Sequence, residues 1–562
     1  MPTSRRDFVK AATAAITPLL ASCASTGNKP SPADARPNIL LIITDDQGYG
    51  DLGCSGNPKI RTPNIDGLAG QSVEFTRYYV SPVCAPTRAC LLTGRYNHRT
   101  GAIDTYLGRA MMHNDEVTLA EMLKAAGYHT GIFGKWHLGD NYPMRPQDQG
   151  FDEVLVHLGG GIGQPSDPPG GSSYMDPILQ HNGVQKKFQG YCTDVYTDAA
   201  LRFIEQHRSS PFLCYLPTNA PHTPLDVPEE WVKSYRDAGL DDTTARIYAM
   251  VESIDRNVGR LLAKLDELGL ADNTIVLYMH DNGAQQKGRY NGGLRGTKGT
   301  VYEGGIRSPL FIRWPARLHR RKVDSVAAHI DITPTLLAWC GIREPAGVRF
   351  DGVSLAGRMD GSLATIEPQD RSIFIQWHRG DEPQPYNNCA VITQQYKLVN
   401  GKELYDLLTD PAESRDIAAL QPDRVAQMRQ AYEAWFADVN RDKRFIPPRI
   451  ILGSARENPS TLTRQDWRGP QAGWTPKSLG YWEVEFARGG NYSINCRFNA
   501  LKEPATVRFQ FEDVSVSQTV KSGASSCNFK PVAIPAMKGR LQAQIELPGQ
   551  TVGVNFVDVY RM

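Results

Sequence analysis

The sequence predicts an α/β fold, a largely parallel sheet with helices on both faces, continued by a smaller α+β subdomain and an appended all-β sandwich. Three observations predict it. Continuous apolar runs such as "PNILLIITDD" (37–46) suit strands buried on both faces of a parallel sheet. Helical patterns and further apolar runs then alternate along the chain. Beyond "RFIPPR" (444–449) the pattern changes to short segments that alternate apolar and polar residues between Gly, Pro and Asn.

At 562 residues the chain exceeds what one hydrophobic core serves, and its net charge of +2 gives no reason to invoke nucleic acid. The ten cysteines are scattered, with neither a CxxC pair nor the density of a disulfide scaffold, which leaves room for one or two disulfides. Arg5-Arg6 in "SRRDFVK" precede "AATAAITPLLASCAS", an apolar stretch too short to span a membrane. Residues 1–23 therefore read as an export signal. The pattern resembles the twin-arginine type, which engages the twin-arginine export machinery and delivers folded protein to the periplasm or cell surface of a bacterium. "Leu20-Ala21-Ser22-Cys23" resembles a lipobox, in which Cys23 would carry a lipid, the chain's one expected link to a membrane. Cleavage near Ala24 without a lipid is the alternative. Residues 24–36, rich in Ser, Pro and small residues, read as a tether.

Residues 37–370 hold the α/β part. "EVTLAEMLKAAGYHTGIFGKWHLG" (116–139) predicts a helix stopped at Gly127 and a strand from Thr130 to Phe133. "TDAALRFIEQHRSSPFLCYLPTNAPH" (197–222) and "ESIDRNVGRLLAKLDELGLADNTIVLYMHDNG" (252–283) repeat helix, turn and strand. Residues 371–443 read as the α+β subdomain. "SIFIQW" and "CAVITQQYKLV" form its antiparallel strands, and Val425, Met428, Tyr432, Trp435, Phe436 and Val439 lie at helical spacing. Residues 450–562, with "YWEVEF", "NYSINCRF" and "TVRFQF", read as a separate β-sandwich.

Chemistry-bearing residues gather where the predicted strands end. Asp45 and Asp46 follow one, Lys135 and His137 another, His222 a third, Asp281 and Asn282 a fourth. Sites in open α/β sheets lie beyond the carboxyl ends of the strands, so the four clusters are expected to converge. Three carboxylates and an amide oxygen suit calcium or magnesium, and no thiolate–imidazole set suggests zinc. On an extended stretch, alternation places Lys135 and His137 on one side. Lys298 lies in the glycine-rich "LRGTKGTVYEGG", with Arg295 and Arg307 near it. Cys84 stands at the predicted start of a helix whose first turn contains Pro86. The positive helix end there is expected to activate a thiol and favour an anion, with Arg88 one turn on.

"CAPTRACLLTGR" (84–95) resembles the signature of the formylglycine-dependent sulfatases, Cys-x-Pro-x-Arg followed by Thr-Gly-Arg. The resemblance extends over roughly residues 37–440, through "TDDQGYGDLG", "GKWHLG", "APHTP", "HDNG", "GTKGTVYEGGIRSP" and "LYDLLTDPAE". It implies an arylsulfatase-like enzyme on the alkaline-phosphatase-like fold, a sulfuric ester hydrolase. By that resemblance Cys84 is converted to formylglycine by a formylglycine-generating enzyme, and its hydrate attacks sulfur. Asp45, Asp46, Asp281 and Asn282, together with residue 84, would hold the cation, calcium being usual and magnesium the second choice. Arg88, Lys135 and Lys298 would neutralise the sulfate oxygens, with His222 beside them. His222 is the implied acid for the leaving oxygen and His137 the base on the hydrate.

Such enzymes in bacteria largely act on sulfated carbohydrates, which is the substrate class implied. Glycine- and proline-rich residues 140–190 would form loops at the pocket mouth that select the leaving group. Trp467, Trp474 and Trp482 of the sandwich are candidates for stacking on sugar rings, or equally for its core. Two other readings stand beside this one. A phosphomonoesterase or phosphodiesterase on the same scaffold would usually carry Ser or Thr and two zinc ions. A catalytically inactive carbohydrate-binding surface protein would rely on its sandwich alone.

Overall fold

Five consecutive residues, Ile39 to Ile43, are fully buried, each worth about 1.5–3 kcal/mol of transfer free energy. They lie in the middle of a ten-stranded sheet in a computed structural model that describes residues 36–360 and 371–562. In chain order its strands are β1 (Asn38–Thr44), β2 (Val73–Phe75), β3 (His129–Lys135), β4 (Glu153–His157), β5 (Ile178–His181), β6 (Val184–Lys187), β7 (Phe212–Pro217), β8 (Thr274–His280), β9 (Leu310–Arg313) and β10 (Arg321–Val323). Their spatial order is β10-β2-β9-β8-β1-β7-β3-β4-β5-β6. The five central strands, β8-β1-β7-β3-β4, run parallel, and antiparallel partners flank them on both sides.

Both faces of this sheet are covered, as the unbroken apolar runs require. Ile39, Leu41 and Ile43 point into one core with Ala85, Ala89, Leu91 and Leu92 of helix α1 (Cys84–Thr93). Leu40 and Ile42 point into the other, with Phe203 and Ile204 of α2 (Cys192–Gln206) and Met250, Ile254 and Val258 of α3 (Asp242–Glu267). The strand expected at Thr130–Phe133 is longer, His129–Lys135, because Gly131 and Gly134 do not interrupt its pairing with β4.

Four antiparallel strands, Ile373–Gln376, Cys389–Ile392, Tyr396–Val399 and Glu403–Asp406, make a second sheet in chain order. Helix α4 (Pro422–Val439) covers it with Met428, Tyr432, Trp435 and Val439 buried, while Val425 and Phe436 are partly so. Two further sheets, of six and four strands, make up the C-terminal sandwich. The sandwich does not stand apart. Leu107, Met111 and Met144 of the α/β part belong to its core, together with Trp467, Trp482, Val507 and Phe509.

Candidate active site

The register of the central strands brings the polar clusters together. Thr44 lies opposite His280, so Asp45 and Asp281 leave the sheet side by side. β8, β1, β7 and β3 are consecutive neighbours, so the clusters that follow them share one end of the sheet. Asp46 has φ of 61°, and this left-handed turn lets two adjacent aspartates serve one site. The amide nitrogen of Asp46 donates to Asp281 Oδ1 at 3.2 Å, and Asn282 Nδ2 donates to Asp46 Oδ1 at 2.8 Å. Asp45 Oδ1, Asp46 Oδ2 and Asn282 Oδ1 are buried acceptors with no hydrogen-bond partner. Buried acceptors are rarely left alone, and a hard oxygen-seeking cation satisfies such a set. One ligand atom from each of Asp45, Asp281 and Cys84 lies within 4.8 Å of the others, and the same holds for Asp45, Asp46 and His222. The donor set fits calcium or magnesium.

Cys84 opens α1, with only 2% of its surface exposed. Burial pushes its thiol pKa up, and the neighbouring Lys135 and Lys298 do not reverse this. Loss of hydration thus opposes the activation expected at the helix terminus. Arg88, fully buried, donates to Asp281 Oδ2 at 2.8 Å and to the Lys135 carbonyl at 3.0 Å, tying α1 to the ends of β8 and β3. Lys135 Nζ donates to Asp45 Oδ2 at 2.6 Å, and Lys298 Nζ lies 2.6 Å from Asp46 Oδ1. Lys298 borders the open cleft, whereas Arg88 and Lys135 lie beneath it. Lys298 and His222 hold the Asp46 carboxyl well below its usual range, although burial alone would raise it.

His137 is not on an extended stretch. Its φ of 64° turns the ring toward Cys84, which corrects the expected alternation. Nε2 donates to the Thr105 carbonyl at 2.7 Å, which leaves Nδ1 as an acceptor, 3.3 Å from Cys84 Sγ. The same logic assigns His222. Nδ1 donates to the Thr223 carbonyl at 2.6 Å, and Nε2 faces Asp46 Oδ2 at 3.6 Å. Burial lowers both imidazole pKa values, His222 to about 3. Two glycines fit against these rings. A Cβ on Gly160 would stand 2.7 Å from His137 Cε1, and one on Gly161 2.7 Å from His222 Cε1.

Ten positions on separate segments thus form one buried polar cluster beneath a cleft. Residues 37–342, more than half of the chain, match the family model described as Sulfatase. The chain belongs to the sulfatase family. Residues 297–435 match the model described as N-sulphoglucosamine sulphohydrolase, C-terminal. N-acetylgalactosamine-6-sulfatase of Mus musculus is 33% identical over 419 residues, covering 69% of this chain and 76% of that protein. Arylsulfatase A of Homo sapiens is 32% identical over 412 residues, 67% of this chain and 78% of that one. The crystal structure of Ps i-CgsB in complex with k-i-k-neocarrahexaose is 30% identical, with a TM-score of 0.65 over 71% of this chain and 93% of that chain. The sulfatase hydrolyses sulfate esters, and its family works with a metal ion and a formylglycine.

Sequence reasoning missed the walls of the cleft, Trp474 apart. A hollow of ≈ 450 Å³ opens above Cys84, His137, His222 and Lys298, and Tyr106, Trp377, Arg379 and Trp474 border it. Trp474 was among the stacking candidates, whereas Tyr106, Trp377 and Arg379 belong to none of the site motifs singled out in the sequence. Of the three tryptophans proposed for stacking, Trp467 and Trp482 are fully buried, and Trp482 Nε1 donates to the Thr463 carbonyl at 2.7 Å. Both are core residues; Trp474 is 38% exposed. The nine cysteines among the described residues are free thiols, so the one or two disulfides for which the sequence left room do not form there. Arg5-Arg6, Cys23 and the proposed tether up to residue 35 lie outside the described residues.

Proposed function

We propose that the sulfatase removes sulfate from sulfated poly- or oligosaccharides. The observation that carries this reading is the aromatic-walled cleft directly above the buried cluster, since flat apolar rings offer stacking surface to sugars. The relatives support it, one named for an N-acetylgalactosamine 6-sulfate and one solved with a neocarrahexaose. Asp45, Asp46, Asp281 and Asn282, with residue 84, would hold a calcium or magnesium ion. That ion would polarise the sulfate, and formylglycine made from Cys84 by a formylglycine-generating enzyme would supply the nucleophile.

The chain's own residues do the rest. His137 Nδ1, held by its bond to Thr105, accepts the proton at residue 84. Lys298 meets the sulfate oxygens from the cleft, and Lys135 and Arg88 add positive charge from below. His222 Nε2 is the candidate donor to the leaving sugar oxygen. Burial keeps it unprotonated, so the acid role requires the negative sulfate to enter beside the ring and favour the imidazolium. A phosphoesterase has no support in this donor set, and the complete cluster argues against an inactive binding protein. The twin-arginine signal and lipobox are in keeping with a sulfatase placed at the cell surface or in the periplasm, where polysaccharide is met.

The test is sulfate release from sulfated sugars by the chain co-produced with a formylglycine-generating enzyme, with Cys84→Ala as control. Release abolished in the control supports the proposal. A parent fully converted at residue 84, by peptide mass, that releases sulfate from aryl esters but from no sugar would overturn the substrate class.

A further inference from the structure

The two family models end at residues 342 and 435, before the C-terminal sandwich begins. Yet one sandwich residue, Trp474, borders the cleft above Cys84. Its ring meets Tyr106 edge-on, with centroids 5.4 Å apart at 80°. The Arg379 guanidinium carbon lies 4.3 Å from the Tyr106 ring centroid and 5.3 Å from that of Trp377. Three segments remote in sequence therefore build one aromatic wall with a cation set into it.

This wall is held in place. Asp104, whose side chain is fully buried, accepts from Trp377 Nε1 at 3.0 Å and pairs with Arg379 at 3.1 Å and Arg109 at 3.2 Å. Gly299, next to Lys298, leaves space for the Trp377 ring, since a Cβ there would stand 3.2 Å from Trp377 Cζ3. The wall thus begins one residue from the lysine at the sulfate position. On the sandwich side, Arg464 donates to the Thr475 carbonyl at 2.7 Å and to the Val554 carbonyl at 2.9 Å, fixing the residue after Trp474. Gln465 Nε2 donates at 2.9 Å to the Thr105 carbonyl, the same oxygen that orients His137. Trp474 is nonetheless 38% exposed, while the other sandwich tryptophans are fully buried. A part-exposed indole on a loop anchored at the cleft is available to a ligand.

Charge indicates the kind of ligand. Arg109, Arg379 and Arg468 form ion pairs with Asp104 and Asp381, three guanidinium groups to two carboxylates, and Glu483 acts on Arg468. The Arg379 side chain, 52% exposed, is the most open of the three arginines.

We infer that Trp474, with Tyr106, Trp377 and Arg379, forms a subsite for the sugar carrying the sulfate ester or the unit beside it, in an anionic oligosaccharide. The sandwich is then part of the substrate site of this sulfatase. The inference rests on the carbohydrate reading above. Trp474 contributes ring stacking, and Arg379 meets a further sulfate or carboxylate on the same chain.

The experiment uses the full chain co-produced with a formylglycine-generating enzyme, as parent, Trp474→Ala and Trp474→Phe. Substrates are N-acetylgalactosamine 6-sulfate, a sulfated neocarrahexaose and 4-nitrophenyl sulfate. Inorganic sulfate serves as a competitive inhibitor that reads the buried cluster alone. For the sugar that the parent desulfates, Trp474→Ala should raise KM about tenfold and Trp474→Phe should recover most of the loss. The inhibition constant for inorganic sulfate should stay at the parental value in both. A KM within twofold of the parent in Trp474→Ala overturns the subsite. So does a joint fall of kcat, sulfate affinity and melting temperature in both variants, which would mark a structural role. A parent that cleaves 4-nitrophenyl sulfate but neither sugar overturns the carbohydrate reading itself, a result visible without any variant.

Discussion

Asp46 and His137 are non-glycine residues in the left-handed region, each at a cost of about 1–3 kcal/mol. The gain is direction: Asp46 joins Asp45 at one site, and His137 turns Nδ1 toward Cys84. Gly161 tests how tightly such directions are held. A methyl at Gly161 would press on the His222 ring, which is 5% exposed and fixed at Nδ1. Gly161→Ala is expected to lower kcat about 10²-fold, as a 1 Å misplacement can. An unchanged kcat in steady-state assays would show that His222 can yield without consequence. The orphaned acceptors Asp45 Oδ1, Asp46 Oδ2 and Asn282 Oδ1 support a second prediction at this scale. Calcium added to chelator-treated enzyme should raise the melting temperature, corresponding to about 2.7 kcal/mol at a hundredfold excess over Kd, and Asp46→Asn should remove the rise. Indifference of the parent to both calcium and magnesium would discard the cation.

At the scale of elements, the site depends on how loops are braced against the second sheet. Lys397 on the strand Tyr396–Val399 is fully buried between Glu303 at 3.1 Å and Glu413 at 2.8 Å. Glu413 Oε2 also accepts from the Glu303 backbone at 2.7 Å, so this triad clamps the segment that follows Lys298. Burial pushes the Glu413 carboxyl up, and Lys397 counters it. Lys397→Met would leave two buried carboxylates facing each other, a loss of about 3–5 kcal/mol in denaturant titration. A loss below about 1 kcal/mol would mean that water enters and solvates them. Much at this scale was legible in the sequence. Apolar runs marked strands, and polar pairs marked their ends, because side-chain alternation and burial are local properties. The direction of His137 was not legible, since its backbone turn depends on hydrogen bonds from the Trp136 and His137 amides to the carbonyls of His157, the last residue of β4, and Leu158 just after it.

For the molecule as a whole, the junction between sandwich and α/β part contains an unusual pair. Asp140 and Asp466 are 5% and 2% exposed, and Asp140 Oδ2 and Asp466 Oδ1 lack partners. Burial raises both carboxyl pKa values, Asp140 to about 6, although Ser166, His157 and Thr463 oppose the rise at Asp140 while Asp167 adds to it. The native state therefore keeps protons that an unfolded aspartate, near 3.8, releases. Stability is expected to fall as pH rises from about 4 through about 6. Asp466→Asn should raise the melting temperature near neutral pH and lose that advantage near pH 4 to 5, about where the parental pair is protonated. A parental melting temperature that stays level across this window would remove the pair from the account.

Composition and periodicity were enough to predict the α/β class and the all-β C-terminus, because each rests on residues near one another in sequence, whereas the ten site positions were named through short motifs and the family resemblance they carry. The walls of the cleft, beyond the bare candidacy of Trp474, were out of that reach. Tyr106, Trp377 and Trp474 meet only after the sandwich has shared its core with Leu107, Met111 and Met144. Likewise, nothing local separates Trp474 from Trp467 and Trp482: burial assigned two indoles to the core and left one at the cleft. Local pattern determines which elements form, whereas contacts between distant segments depend on how those elements bury their faces together.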